Sequence, residues 1–217
     1  MKVKFIATIV FFLFILGALF FFNKHYHLAR VSSNSMESTF KENNRLLYQK
    51  IDRNNREIKH NDIVLFKQYG STYIKRIIGL PCDTLKIKNN KVFINNQAHH
   101  EVETLQFKGI HYATKDTLPA YQAKNFPKFI IPFQGFKIIL NDSTLNLYHR
   151  IIELNYPVKI EKKDSLFFVN NQAKNTFTFT DDFYFVMGDN RLHSEDSRHF
   201  GPVKSESIFG KYSLKIW

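Results

Sequence analysis

Three separated segments of the sequence hold residues that could carry out nucleophilic and acid–base chemistry. Residues 32–40 (SSNSMESTF) are rich in hydroxyl groups, residues 73–83 (YIKRIIGLPCD) place two basic residues in an apolar run, and residues 188–203 (GDNRLHSEDSRHFGPV) are densely polar. A serine hydroxyl becomes a strong nucleophile beside a base, and a lysine can be that base where burial keeps its amine neutral. Taken singly, the same segments are typical of a linker, an edge strand and an ordered loop.

The lysine segment is predicted to be a β-strand whose side chains alternate between two faces. Lys75 then shares a face with Tyr73 and Ile77, so its amine has aromatic and apolar neighbours. An edge-strand lysine whose amine extends to water is the alternative that this segment alone leaves open. The choice between the two depends on what lies opposite the strand.

In combination, the segments resemble the conserved boxes of the bacterial type I signal peptidases, a family of serine proteases with a Ser/Lys dyad. Those boxes read Ser-x-Ser-Met-x-Pro-Thr, then Tyr-Ile-Lys-Arg followed by Gly-Leu-Pro-Gly-Asp, then Gly-Asp-Asn-Arg with Ser-x-Asp-Ser-Arg beyond it. Residues 61–64 (NDIV) are also similar to the Gly-Asp-Ile-Val element of the family. The order and spacing of the boxes agree with the family, whereas residues 98–182 resemble it poorly.

The resemblance implies a role for four side chains. Ser35 matches the nucleophile and Lys75 the general base, while Ser194 matches the residue that hydrogen-bonds the lysine and orients its amine. The backbone N–H of Ser35 and the hydroxyl of Ser33 match the oxyanion hole, whose fixed donors stabilise the charge that develops on the attacked carbonyl. The implied activity is removal of signal peptides from exported preproteins, without a metal or organic cofactor.

Further positions match the substrate pockets and the bracing residues of the family. Its pockets accept small side chains at the first and third positions before the cleaved bond, the Ala-x-Ala rule, because a pocket that fits alanine excludes larger groups by clash. The matching positions of this chain are Val31, Met36, Tyr73 and Ile74. The positions that brace the site in the family, and are predicted to be structural here, are Asp189, Asn190, Arg191, Asp196 and Arg198.

The chain departs from the family boxes at three positions. Ser38 replaces the proline that follows the nucleophile by three residues, which removes a fixed φ from the loop. Cys82 replaces the second glycine of Gly-Leu-Pro-Gly-Asp, and Asn61 replaces the glycine before Asp-Ile-Val. The turn at Cys82 is therefore expected to have a conformation that a residue with a side chain can adopt, with the thiol partly buried.

The N-terminal residues 5–22 (FIATIVFFLFILGALFFF) carry no charge and are just long enough to cross a bilayer. No small-residue cleavage site follows them, so a retained anchor is favoured over the alternative of a cleaved secretory signal. Lys2 and Lys4 precede the segment but Lys24 lies close beyond it, so charge alone does not set the orientation. The resemblance implies a single-pass protein of the cytoplasmic membrane with its catalytic domain on the outer face.

Most of the remaining chain has the short β-branched and aromatic runs of β-strands. We predict a mostly β, signal-peptidase-like domain with an inserted α/β lobe, on a single N-terminal transmembrane helix. The predicted parts are 1–27 (cytoplasmic tip and anchor), 28–97 and 183–217 (catalytic β-domain), and 98–182 (inserted or secondary lobe).

Two further features lie in or beside the predicted lobe. Residues 144–154 have apolar side chains at helical spacing and predict one amphipathic helix. Residues 83–97 and 158–172 both read as a strand, a polar turn, a strand and Asn-Asn-Gln, which indicates either a duplicated hairpin or a chance likeness. We expect residues 98–157 to form a lobe that stands apart from the Ser35/Lys75 site, with neither His111 nor Tyr148 within hydrogen-bond reach of Ser35.

The composition limits the classes of function. A net charge of +12 suits contact with an anionic surface, either a membrane or a nucleic acid. The 31 basic residues are scattered and match no nucleic-acid-binding motif, so no nucleic acid is predicted as a partner. The nine histidines lack HExxH or Cys/His ligand spacing, so no metal site is predicted. The predicted partners are signal peptides and the lipid bilayer; the alternative is a catalytically silent, membrane-tethered β-domain that binds exported peptides.

Overall fold

The first element is an apolar helix, α1 (Lys2–His25), which continues directly into the first strand, β1 (Tyr26–Arg30). Its large apolar side chains are exposed, and the window Thr8–His25 has a mean hydropathy of 1.8. By length and composition this helix can cross a membrane, in agreement with the predicted anchor.

The computed structural model describes residues 2–52, 57–99, 125–164 and 166–216. Within these residues the helices are α1, α2 (Asp142–Asn155) and α3 (Ser197–Phe200). The strands, in chain order, are β1, β2 (Arg45–Lys50), β3 (Ile63–Gln68), β4 (Ser71–Gly79), β5 (Thr84–Lys88), β6 (Lys91–Ile94), β7 (Gln97–Ala98), β8 (Phe126–Ile130), β9 (Lys137–Ile139), β10 (Ile160–Lys163), β11 (Leu166–Val169), β12 (Gln172–Ala173), β13 (Thr176–Thr178), β14 (Phe183–Met187), β15 (Val203–Lys204) and β16 (Ile208–Lys215). The prediction of a mostly β protein is confirmed.

The main sheet has seven strands in the order β1-β2-β16-β3-β4-β14-β15, each antiparallel to its neighbours. The last strand, β16, lies between β2 and β3, and β14 lies beside β4. This order brings the polar segment that follows β14 next to the strand that carries Lys75, although the two are far apart in sequence.

Strand β3 is buried on both faces. Val64 and Phe66 pack on one face in an apolar cluster with Ile77 of β4, whereas Ile63 and Leu65 pack in a second cluster on the other face. A strand covered on both sides has no polar face, which explains its continuous apolar sequence. Each fully buried side chain of this size contributes roughly 2 kcal/mol of transfer free energy, so the two layers hold β3 and β4 together.

A second sheet begins just after β4, in the order β7-β6-β5-β8. It packs with α2 in one apolar cluster that also contains Ile78 of β4 and Phe185 of β14. Strand β8 follows the predicted boundary at residue 98 but pairs with β5, which precedes that boundary. The chain therefore passes from one sheet to the other at residues 80–83.

The two similar stretches fold in the same way. Strands β5, β6 and β7 form a meander, and so do β10, β11 and β12. In each, a backbone N–H at the start of the first strand donates to the side chain of an asparagine in the second turn, from Thr84 to Asn95 and from Lys159 to Asn170, both at 2.9 Å. The shared register and the shared capping bonds favour a duplicated hairpin over a chance likeness.

The helix predicted at residues 144–154 is α2. Its N-terminus is capped by Asn141 and Thr144, each of whose side chains accepts a hydrogen bond from the backbone N–H of the other. The Tyr148 hydroxyl on its buried face donates to the Ile130 carbonyl at 2.9 Å and makes no bond to Ser35. His111, also expected to lie away from Ser35, is outside the described residues.

Candidate active site

Ser35 lies in a single 3-10 turn, Asn34–Met36. The loop that contains it is closed at its base by two backbone hydrogen bonds, from Val31 to the Asn44 carbonyl at 2.9 Å and from Asn43 to the Val31 carbonyl at 2.8 Å. Val31 is itself buried in the apolar cluster beneath the loop. The hydroxyl-rich segment is therefore an ordered loop, not a linker.

Asn190 ties this loop to the segment after β14. Its backbone N–H donates to the Ser35 carbonyl at 3.0 Å, and its side-chain amide donates to the Asn34 carbonyl at 3.0 Å and to Glu37 Oε2 at 3.2 Å. These three bonds fix the backbone around Ser35. Asn190 thus contacts the predicted nucleophile loop directly.

The predicted nucleophile and base are in contact. The Lys75 amine donates to Ser35 Oγ at 2.5 Å, and the Ser33 and Ser35 hydroxyl oxygens lie 3.3 Å apart. Lys75 is 3% exposed and Ser35 8% exposed. A short contact of this kind allows proton transfer from hydroxyl to amine once the amine is neutral.

Burial lowers the pKa of Lys75 from its ordinary value of 10.5 to about 8. The negative charges of Asp196 and Glu195 raise it, but by less than burial lowers it. The Lys75 amine lies 5.7 Å from the centre of the Tyr73 ring, which shields part of it from water. A desolvated ammonium is disfavoured, so much of the amine is neutral near pH 8.

Ser194 is buried, and its hydroxyl has no hydrogen-bond partner in the described parts of the chain. The predicted bond from Ser194 to Lys75 is therefore not formed in this structure. A β-carbon at Gly188 would overlap both the Ser194 hydroxyl and the Ser35 carbonyl oxygen, so only glycine permits this close approach. Leaving a buried hydroxyl without a hydrogen bond costs free energy. A group that hydrogen-bonds Ser194 when substrate is bound would therefore be stabilising.

Asp189 is a fully buried carboxylate that is bound from two sides. Arg76 donates Nε to Oδ1 at 2.8 Å and Nη2 to Oδ2 at 2.6 Å, and the Thr39 hydroxyl donates to Oδ2 at 2.5 Å. Arg76 also donates Nη1 to the Asn61 carbonyl at 2.9 Å. Because a bidentate Arg–carboxylate pair has a fixed geometry, it aligns the two segments that carry it.

A second buried network surrounds Asp196. Its carboxylate accepts Nε and Nη2 of Arg198, both at 2.8 Å, and the Gly188 N–H at 3.0 Å. Burial raises the pKa of Asp196, but the charge of Arg198 and the hydrogen bonds from Arg198 and His199 outweigh it and hold the pKa well below its usual range. Arg198 also donates to the Arg191 carbonyl at 2.7 Å, and Arg191 Nε donates to the Gly188 carbonyl at 3.0 Å.

Three of the four predicted substrate-binding residues come together. Val31, Met36 and Ile74 belong to one apolar cluster beside the Ser35 turn. Tyr73 lies on the opposite face of β4, where its ring stacks on Phe66 with centroids 5.5 Å apart. Alternation along β4 explains the separation, since adjacent residues of a strand point to opposite faces.

The three positions that depart from the family boxes differ in backbone conformation and in the burial of their side chains. Cys82 has φ 73° and is exposed, so the expectation of a partly buried thiol is wrong. Asn61 has φ 69°, a left-handed conformation that asparagine tolerates better than most residues. The Ser38 hydroxyl is buried and has no hydrogen-bond partner within the described residues. The turn at Cys82 therefore still has the backbone conformation that favours glycine.

Sequence reasoning assigned no role to Arg76, Thr39 or Glu195. Arg76 follows Lys75 on a strand buried on both faces, so a buried acidic partner for it could have been anticipated. Thr39 matches the threonine of the first family box, but its partner Asp189 is distant in sequence. Glu195 is exposed, and only the folded chain brings its charge close enough to affect Lys75.

Histidines near these segments make structural contacts. His60 Nε2 lies 2.7 Å from Asp83 Oδ2, and His99 Nε2 lies 3.2 Å from Asn61 Oδ1. Across residues 2–52, 57–99, 125–164 and 166–216, no group of three or more His, Cys, Asp and Glu side chains is placed to hold a metal ion.

The profile of the family described as "Signal peptidase, peptidase S26" matches residues 2–217. The chain is 29% identical over 185 residues to signal peptidase I V of Bacillus subtilis strain 168, which covers 85% of this chain and 82% of that protein. It is 28% identical over 194 residues to signal peptidase I of Streptococcus pneumoniae serotype 4, a match that covers 87% of this chain and 80% of that protein.

A crystal structure of a signal peptidase I from Enterococcus faecalis V583 is 22% identical in sequence to this chain. The match covers 73% of this chain and 98% of that one, with a TM-score of 0.34. Because the family profile matches nearly every residue, the chain belongs to the signal peptidase family, peptidase S26.

Proposed function

We propose that this protein is a membrane-anchored serine endopeptidase of the signal peptidase I type, with Ser35 as nucleophile and Lys75 as general base. The observation that carries the proposal is the 2.5 Å contact between the Lys75 amine and the Ser35 hydroxyl in a buried site. Membership of the peptidase S26 family supports the same activity. The substrates are exported preproteins that carry a signal peptide.

In the first step, the neutral Lys75 amine takes the proton of Ser35 while Oγ bonds to the carbonyl carbon at the cleavage site. The carbonyl oxygen becomes an oxyanion, which the Ser35 N–H and the Ser33 hydroxyl stabilise. When the C–N bond breaks, the Lys75 ammonium gives its proton to the departing amine. The mature protein leaves, and the signal peptide remains as an ester of Ser35.

In the second step, Lys75 takes a proton from a water molecule as that water attacks the ester carbonyl. The same donors stabilise the second oxyanion, and the proton returns to Ser35 Oγ as the ester bond breaks. The signal peptide is released with a carboxyl terminus. Ser194 would hold the amine in line during both transfers, by rotation of a hydroxyl that is otherwise without a partner.

We infer that cleavage follows a small-x-small sequence. The support is the apolar cluster of Val31, Met36 and Ile74 beside the Ser35 turn, because an apolar pocket that fits a small side chain excludes larger ones by clash. Tyr73 would border the site from the other face of β4. Asp189, Asn190, Arg191, Asp196 and Arg198 would hold the loops in place.

We also infer that the catalytic sheet lies on the outer face of the cytoplasmic membrane, where exported preproteins emerge. The support is the apolar helix α1, which continues into β1 without a linker and would keep the site close to the bilayer. The second sheet and α2 would form a secondary lobe beside the catalytic sheet.

The test uses the full chain in detergent with a preprotein that carries an Ala-x-Ala site. We expect wild-type protein to release the signal peptide, Ser35→Ala to be inactive, and Ser32→Ala, which removes a neighbouring exposed hydroxyl, to be active. Mass spectrometry of the products gives the cleaved bond. A wild-type protein that binds the preprotein and leaves it intact would support the alternative of a silent binding domain.

A further inference from the structure

Thr39 makes two hydrogen bonds near the candidate dyad of Ser35 and Lys75. Its hydroxyl donates to Asp189 Oδ2 at 2.5 Å and accepts from Arg76 Nη2 at 3.3 Å. A hydroxyl has one proton to donate and lone pairs to accept with, so Thr39 uses both capacities at once. Of the two described side chains that donate to the Asp189 carboxylate, Arg76 lies on β4 and Thr39 lies in the same loop as Ser35.

The partners of Thr39 are direct neighbours of the residues that hold the dyad. Arg76 follows Lys75 on β4, and Asp189 precedes Asn190, whose N–H donates to the Ser35 carbonyl at 3.0 Å. Lys75 contacts the loop from one side of β4 at Ser35. Arg76 points to the other face of β4 and is joined to the same loop by hydrogen bonds through Asp189 and Thr39.

We propose that Thr39 is a positioning residue whose hydroxyl locks the Ser35 loop against β4 and so sets the distance between Ser35 Oγ and the Lys75 amine. This inference rests on the proposed roles of Ser35 and Lys75. Without the Thr39 bond, the loop keeps the Lys75–Ser35 bond to β4, and the segment after β14 holds it through the Asn190 bonds and the bond from the Asp189 N–H to Met36 Sδ. A small increase in the Ser35–Lys75 distance then slows proton transfer, because catalysis depends steeply on the alignment of the reacting groups.

A second effect follows from the burial of Lys75. If the loop moves away from β4, water reaches the amine and the burial that lowers its pKa to about 8 is partly lost. The pKa of Lys75 then rises toward its ordinary value. The acid limb of the activity profile should therefore move to higher pH, which a change in overall stability alone would not produce.

The experiment compares Thr39→Val, which replaces the hydroxyl by a methyl group of similar size, with Thr39→Ser, which keeps the hydroxyl. Peptide cleavage by the full chain in detergent is measured across pH to obtain kcat, KM and the apparent pKa. We expect Thr39→Val to lower kcat by about tenfold to a hundredfold with KM little changed, and to move the acid limb to higher pH. Thr39→Ser should stay within a few-fold of wild type.

Thr144→Val is the matched control, because Thr144 is also half-buried and uses its hydroxyl in a capping box, but lies in α2 away from the site. It should lower the melting temperature and leave kcat and the pH profile unchanged. The proposal is overturned if a folded Thr39→Val has wild-type kcat and pH profile, or if Thr39→Ser loses as much kcat as Thr39→Val. An active Ser35→Ala would instead contradict the proposed function itself, so the two failures are distinguishable.

Discussion

Lys75 is subject to opposing influences. Three carboxylates, Asp196, Glu195 and Asp189, raise its pKa, and each would favour the charged ammonium. Burial outweighs them and lowers the pKa from 10.5 to about 8, a change worth roughly 3 kcal/mol between the two protonation states. The carboxylates still serve the proposed mechanism, because they stabilise the ammonium that forms when Lys75 takes the proton from Ser35.

We predict that activity rises with pH through an apparent pKa near 8, because the neutral, proton-accepting fraction of Lys75 grows as pH rises through that value. We also predict that Lys75→Arg is inactive, since a guanidinium keeps its charge and cannot accept the Ser35 proton. The measurement is peptide cleavage against pH, with circular dichroism to establish folding.

The matched control for Lys75→Arg is Lys67→Arg, the same substitution at an exposed position of the neighbouring strand β3. Its activity should equal that of wild type. A folded Lys75→Arg that retains substantial Ser35-dependent turnover would rule out Lys75 as the base.

Some contacts of individual residues could be predicted from the sequence and others could not. The Ser35–Lys75 contact was predictable because both residues lie in recognisable family boxes. Strand alternation alone did not exclude the alternative of a lysine whose amine extends to water. The unpaired Ser194 hydroxyl could not be anticipated, since its position depends on close packing at Gly188 between segments that are distant in sequence. Exposure of the Cys82 thiol likewise depends on the direction of a turn, which composition does not specify.

Elements with a local pattern were the most predictable. The alternation of β4 and the amphipathic spacing of α2 each match the structure to within a few residues. The boundary between the two sheets could not be predicted, because β8 pairs with β5 although β6 and β7 lie between them in the chain. Strand pairing over long sequence separations is a property of the whole fold.

The turn between β4 and β5 allows a test of backbone strain. Cys82 has φ 73°, where a residue with a β-carbon is strained by roughly 1–2 kcal/mol and glycine is not. Glycine also has more freedom in the unfolded chain, which offsets about 0.5–1 kcal/mol of that gain. We predict that Cys82→Gly raises the free energy of unfolding by up to about 1 kcal/mol, measured by denaturant titration.

Cys82→Ala is the control for this substitution, because it removes the exposed thiol and keeps the β-carbon. It should be as stable as wild type or slightly less so. If Cys82→Gly were less stable than Cys82→Ala, the left-handed conformation would not be a source of strain at this turn.

At the scale of the whole molecule, the apolar helix α1 is joined to the main sheet without a linker. Helix α1 runs directly into β1, and all five residues of β1 pair with β2. Leu28 is 61% exposed and Leu214 is 58% exposed, and both lie beside Leu47 in the register of three adjacent strands. A fragment without α1 therefore keeps an exposed apolar stripe, so we expect it to need detergent to remain monomeric.

We predict that a chain starting at Tyr26 is an active peptidase, whereas a chain starting at Ser32 has much lower activity. The first keeps β1, including Arg30, whose guanidinium donates to Asn43 Oδ1 at 3.2 and 2.7 Å just before the Ser35 loop. The second loses β1 and also Val31, whose two backbone hydrogen bonds close the base of the Ser35 loop, and it leaves one edge of β2 unpaired. Turnover of a short peptide and thermal melting, measured in one detergent, should rank a chain starting at Leu28 between the two, because it keeps only part of β1. Equal kcat for all three chains would mean that β1 has no part in holding the Ser35 loop and serves only as the connection to the anchor.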